Sequence, residues 1–232
     1  VYKQAKHGKK GLSHGMIYDI QESIYRPGQF WVGTANGLNL LNPESGHAKV
    51  YQMGEGGFLG ANHVSAVCES PHVRDTVWLA TLGGGLFKLD LKTDKHIQYT
   101  RSEKSTSLGS EYLVSIFESR NAPGILWIGT MDSGLNRFDC RSGESTHYRH
   151  DPKNPHSIAS GPVSGIIESP ASPGVLWLGL AGGGLNRLET KTGRCRRISL
   201  PIVKHDLSAD TPALDLGPNS EAAEIDPIVN CL

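Results

Sequence analysis

The sequence predicts an all-β chain built as a tandem array of four antiparallel, four-stranded units. Three observations predict it. The four tryptophans, Trp31, Trp78, Trp127 and Trp177, recur at intervals of 47, 49 and 50 residues, and a self-similar period of that length marks a repeat architecture. Each Trp lies in a short apolar run that leads into a glycine turn and a second apolar run. The composition, with 28 Gly and 13 Pro in 232 residues, suits many short strands and tight turns better than helices.

The first strand of each unit is an apolar run closing on a Glu-Ser pair: Ile17–Ser23, Val64–Ser70, Val114–Ser119 and Val163–Ser169. The second strand carries the Trp, as in Trp127-Ile128-Gly129-Thr130. It is apolar almost throughout, as expected when neighbours cover both faces of a sheet. Two places after each Trp stands a small residue, Gly33, Ala80, Gly129 or Gly179, which leaves room for an adjacent sheet. Gly37, Gly85, Gly134 and Gly184 anchor the turn into the third strand, where positive φ is needed and a Cβ is a burden. A turn such as Ser142-Gly143 then leads to a fourth strand marked by Tyr51, Tyr99, Tyr148 or Ile198.

Four-stranded sheets that cannot cover both faces alone, repeated in tandem, are the blades of a β-propeller. The expected blades are 11–52, 60–100, 108–150 and 158–199. Val1-Tyr2-Lys3-Gln4 matches Val50-Tyr51-Gln52 at the same period. Residues 1–4 are therefore expected to be the outer strand of a preceding blade, and the array part of a larger, seven-bladed-type propeller. After Ser199 the repeat stops. From His205 to Leu232 there are six acidic residues and no Lys or Arg, so 201–232 is expected to be a disordered acidic tail.

Several function classes are disfavoured. Lys+Arg and Asp+Glu are both 23, which gives no electrostatic footprint for nucleic acid or an anionic membrane. No apolar run approaches the roughly 20 residues that span a bilayer. The four cysteines lack metal-ligand spacing, and the ten histidines form no His-Glu-x-x-His pattern. Neither a catalytic residue, a metal site nor a cofactor is predicted. Glu22, Glu69, Glu118 and Glu168 recur at one place in every unit and are expected to bond a turn amide, not to catalyse. The tryptophans are expected to pack between blades instead of stacking on sugars.

The third unit, Leu126-Trp127-Ile128-Gly129-Thr130 followed by Gly134-Leu135-Asn136-Arg137-Phe138-Asp139, Ser142-Gly143 and Tyr148, resembles the two-component regulator propeller repeat. The segment from Asp151 to Ile158 looks like that family's blade-to-blade linker, and the likeness covers residues 1–200. Departures are Glu-Ser in place of Glu-Asp and the connections Pro27-Gly28, Pro123-Gly124 and Pro173-Gly174, expected to be ordered turns. The resemblance implies the periplasmic sensor region of a membrane-bound hybrid histidine kinase, with carbohydrate-related or other small-molecule ligands. No kinase motif is present, so any kinase module belongs to other parts of a parent protein.

Ligand sites of propellers lie on the face that carries the blade-to-blade linkers and the turns between second and third strands. Residues there that vary between units are the candidates, because the scaffold does not dictate them. Asn36 and Asp132 in the turns, and His63 and Glu111 just before the first strands, meet that description. Three functions compete: a non-catalytic ligand sensor, a protein-interaction scaffold, and a propeller enzyme resembling streptogramin lyase. The last needs a His, Glu and metal constellation that the sequence does not show.

Overall fold

The computed structural model describes residues 11–53 and 61–198. Residues 1–4 and 201–232, for which a leading outer strand and a tail are expected, lie outside the described residues. Sixteen strands, and no helix, occur in the described segments. β1 (Ile17–Glu22), β2 (Phe30–Thr34), β3 (Gly37–Asn42) and β4 (His47–Tyr51) form the first sheet. β5 (Val64–Glu69), β6 (Thr76–Thr81), β7 (Leu86–Asp90) and β8 (Lys95–Tyr99) form the second. β9 (Leu113–Glu118), β10 (Ile125–Thr130), β11 (Leu135–Asp139) and β12 (Glu144–Tyr148) form the third. β13 (Val163–Glu168), β14 (Val175–Leu180), β15 (Gly184–Glu189) and β16 (Cys195–Ile198) form the fourth. Every sheet is an antiparallel meander with its strands in chain order, which is the blade of a propeller.

Short-range chemistry builds each hairpin. The hydroxyls of Thr34, Thr81 and Thr130 donate to the carbonyls of Gly37, Gly85 and Gly134 at 2.7–2.9 Å. Those glycines have φ of 109°, 74° and 74°. A Cβ at Gly37 would stand 2.6 Å from the Tyr51 carbonyl oxygen, so glycine is required there twice over. The Pro-Gly connections are ordered turns, with Gly28, Gly124 and Gly174 at φ near 80°.

The sheets stack face to face in sequence order. β1, β5, β9 and β13 contact one another in turn, and β2, β6 and β10 pack on the first strand of the next sheet. Trp31 packs with Val67, Leu79 and Phe87 of the second sheet. Trp78 packs with Ile116, Ile128 and Phe138 of the third, and Trp127 with Leu176, Leu178 and Leu188 of the fourth. Trp31, Trp78 and Trp127 are thus core between blades; losing one such side chain costs about 3–5 kcal/mol. The small residue two places on does what its size suggests. A Cβ at Gly33 would lie 2.9 Å from the Val64 carbonyl oxygen, and one at Gly129 would collide with that of Val163.

Polar seams lock the stack. Glu69 accepts the Ser23 hydroxyl and the Ile24 amide of the preceding sheet. Glu168 accepts the Ser119 hydroxyl and the Arg120 amide, both at 2.9 Å. Glu22 and Glu118 also accept the turn amides of Gly28 and Gly124 in their own sheets. Buried Asn39, Asn136 and Asn186 hold the incoming linkers by accepting the amides of Ser13, Gly109 and Ala159 at 2.8–2.9 Å. This explains the recurrent Gly-Leu-Asn of the third strand, because an asparagine there satisfies a linker amide that burial would otherwise orphan.

Candidate functional site

The linkers and the second hairpin turns meet on one face, held by a repeated hydrogen bond. The first turn amide of each sheet donates to the carbonyl just before its first strand: Ala35 to Met16, Leu82 to His63, Met131 to Tyr112 and Ala181 to Pro162. The Glu111 carbonyl is gripped from the neighbouring sheet as well, accepting Gly83 at 2.9 Å and Gly85 at 3.1 Å. Glu111 and Tyr112 therefore project from backbone fixed by two blades, a rigid support of the kind that sites on loops require.

Around this support lie two adjoining clefts. One, of about 460 Å³, is lined by Arg101, Glu103, Ser110, Glu111, Tyr112 and Asp132. The other, of about 350 Å³, shares Arg101 and Asp132 and adds Ser133, Arg149, His150 and Ser160. Each falls within the size range of small-ligand sites. Arg101 and Asp132 stand where the two join. Glu103 and Glu111 make one end acidic, and Arg149 with His150 makes the other basic. Tyr112, 45% exposed, offers an aromatic face beside the carboxylates. His150 is oriented by its own backbone contacts, its Nδ1 lying 3.0 Å from the Ile158 carbonyl oxygen.

The structure brings Glu111 and Asp132 together on one cleft. It does not bring Asn36 or His63 there. Asn36 sits on the first sheet, where its side-chain oxygen accepts the Gln52 amide at 3.2 Å. His63 is only 2% exposed and its ring packs against Tyr18 with centroids 4.3 Å apart, so it belongs to the wall between the first two blades. Arg101, Tyr112, Arg149 and His150 were not singled out from the sequence. Their signal was present, since Arg101 and His150 each lie two residues after the Tyr of a fourth strand, a variable position leading into a linker.

Elsewhere, the described cysteines are held in their neutral form by burial or partial burial. Burial pushes the Cys68 and Cys140 thiols up to about 12, so both are neutral at physiological pH and neither offers a thiolate. Cys195 is also raised by burial. Among the described residues, no group of three or more His, Cys, Asp or Glu could hold a metal ion. No helix there is long and apolar enough to cross a membrane.

No protein-family model matches the sequence. No curated protein matches it either. Solved structures do. The extracellular domain of BT3049 from B. thetaiotaomicron, a proposed hybrid two-component system, is 25% identical, with a TM-score of 0.69 over 83% of this chain and 26% of that one. The extracellular domain of BT4673 from the same organism, likewise a proposed hybrid two-component system, is 25% identical, with a TM-score of 0.61 over 80% of this chain and 22% of that one. A second structure of the BT4673 domain, described as a one-component system, aligns at 22% identity and a TM-score of 0.60 over 79% and 25% of the two chains, a likeness of fold alone. The chain thus spans about a quarter of the length of the solved domains it matches. With its four meander sheets stacked on tryptophan seams, the chain is a β-propeller segment of the kind found in extracellular domains of two-component systems, consistent with the two-component regulator propeller family that its repeats resemble.

Proposed function

We propose that this chain is a ligand-sensing segment of an extracytoplasmic sensor, non-catalytic in itself, that binds a small molecule or carbohydrate at the clefts joined by Arg101 and Asp132. The observation that carries this reading is the convergence of Glu111, Asp132 and Arg101 around exposed Tyr112, on a backbone held by two blades, with Arg149 in the adjoining cleft. Carboxylates accept sugar hydroxyls, guanidinium groups donate to ring and hydroxyl oxygens, and an aromatic face covers apolar C–H surface. Sensor roles in the structural neighbours support the same reading. In it, ligand capture biases the arrangement of blades, and any kinase output belongs to other parts of a parent protein.

The test is calorimetric titration of the chain with a panel of neutral and charged oligosaccharides, beside Arg101→Ala and Asp132→Ala variants. Loss of one charge-assisted hydrogen bond is worth roughly 1.5–3 kcal/mol, so each variant should weaken a bound glycan about tenfold or more. Binding that ignores both substitutions would place the ligand elsewhere. Absence of binding across the panel would remove the carbohydrate reading.

A further inference from the structure

The cleft between the third blade and the linker to the fourth carries more positive than negative charge, and one of its cations is oriented in advance. Arg149 leads out of β12, and its guanidinium is held by a relay that starts on linker backbone. The Ser107 carbonyl oxygen lies 2.8 Å from His147 Nε2. A carbonyl only accepts, so Nε2 carries the proton, and Nδ1 of the neutral ring is left as an acceptor. Arg149 Nη2 lies 3.4 Å from that Nδ1. The same Nη2 is 3.4 Å from where a Cβ at Gly109 would stand. The guanidinium therefore rests on a linker glycine, which Asn136 fixes by accepting its amide at 2.9 Å. Arg197 differs, because its donors are committed to the linker: Nη2 to the Ser157 hydroxyl at 3.0 Å and Nε to the Ser157 carbonyl at 3.3 Å.

Arg149 and Arg101 both line the cleft of about 350 Å³, in which Asp132 is the one carboxylate. Among the described residues neither arginine forms an ion pair, whereas Arg26, Lys49, Lys92 and Arg187 all do. Exposed guanidinium groups are satisfied by water. A ligand that fills the cleft removes that water, and a charge covered without a counter-charge is strongly unfavourable. Two cations facing one anion therefore call for an anionic group on the ligand, and the guanidinium fork suits an oxyanion. The adjoining cleft has the opposite balance, with Glu103, Glu111 and Asp132 against Arg101. There the ligand must offer donors, as sugar hydroxyls do.

We propose that the ligand is an acidic saccharide, its carboxylate or sulfate seated on Arg101 and Arg149 and its hydroxyls directed to Glu111 and Glu103. The assignment rests on the ligand-sensing reading of the same clefts and narrows their ligand to one chemical class.

Calorimetric titration of the full chain with matched probes tests it: tri-galacturonate against its methyl ester, and a sulfated galactose trimer against the unsulfated trimer. At least one acidic probe should bind about tenfold or more tightly than its neutral counterpart, and its binding should weaken as salt rises. Which of the two pairs shows the preference identifies carboxylate or sulfate as the group seated. Arg149→Gln should weaken the acidic probe about tenfold and leave the neutral one unchanged. Arg141→Gln removes the same charge from the turn at the far end of the third sheet and should change neither, with circular dichroism confirming folded protein. Neutral glycans that bind and respond to Arg101→Ala and Asp132→Ala, with no preference for the acidic probes and no response to Arg149→Gln, overturn the acidic class while the sensing reading stands. Equal losses from the two glutamine variants reduce the effect to overall charge and overturn it as well. Absence of binding by every probe, neutral or acidic, overturns both.

Discussion

Ser23 of the first blade donates its hydroxyl to the Glu69 carboxylate of the second at 2.9 Å, and both residues are buried. Glu69 also accepts the Ile24 amide and lies 3.4 Å from the Arg26 guanidinium. Removing it would orphan donors in a seam that excludes water. Glu69→Ala should therefore destabilise the chain by about 3 kcal/mol, read as a lowered urea midpoint. A loss within about 0.5 kcal/mol, the size of an ordinary surface substitution, would show that the clamp does not hold the blades.

The second seam lacks this clamp, and the Ser70 hydroxyl oxygen instead accepts the His72 and Val73 amides of its own turn. At the position of Ile24 and Arg120, which donate amides, stands Pro71, which has no N–H. Glu118, the carboxylate at that seam, keeps its Oε2 buried without a hydrogen-bond partner. His72 makes a different link, its Nε2 lying 2.9 Å from the Ser119 carbonyl oxygen. Pro71→Ala loses roughly 0.4–1 kcal/mol of proline's restraint on the unfolded chain and gains an amide for a buried carboxylate, about 1.5–3 kcal/mol. Net stabilisation of about 1 kcal/mol is expected. Pro170→Ala, at the same place on the fourth blade, where no described carboxylate of a following sheet stands beside it, should give no gain, and equal effects at the two sites would contradict the account.

Gly129 and Gly179 occupy one repeat position in different surroundings. A Cβ at Gly129 would strike the Val163 carbonyl oxygen and the Ser115 hydroxyl, whereas one at Gly179 meets nothing nearer than 3.8 Å. Gly129→Ala should cost about 1–3 kcal/mol through overpacking. Gly179→Ala should be close to neutral. Paired thermal melts check the contrast.

Asp19 supplies a pH dependence. Burial raises its pKa above the ordinary 3.8, only partly offset by the amides of Val67 and Ile20. The folded chain therefore binds the Asp19 proton more tightly than the unfolded chain does. This contribution to stability is present at low pH, is lost as pH rises through the folded value, and is absent at neutral pH. Asp19→Asn keeps an acceptor for Val67 without the cost of a buried charge. At neutral pH it should be more stable than the parent, with the difference shrinking as pH falls toward the ordinary carboxylate range. A difference that grows on acidification would reverse the assignment.

Most of the architecture was legible because it is written four times. The Trp spacing, the turn glycines and the Glu-Ser pairs are local signals for strands and hairpins, and repetition separates them from chance. Glu111 and Asp132 were also legible, as variable residues on the face that carries linkers and turns. His63 looked equivalent to Glu111 in sequence, yet it packs against Tyr18, because which linker residues point inward depends on the neighbouring blade. Arg101 and Arg149 escaped notice for the converse reason: they are ordinary polar residues until folding sets them beside Asp132.

The sequence by itself determined the repeat, the strand order within each blade and the inward role of the tryptophans, since all are written in the pattern that the four units share. Only the tertiary structure decided what happens between blades. It showed that Glu69 and Glu168 clamp the preceding sheet while Pro71 denies Glu118 the same bond. It also showed that Arg187 and Arg196 stand opposite one another on the fourth sheet. Seams join groups distant in sequence, and their geometry comes from the stacking of whole sheets, which no single repeat encodes.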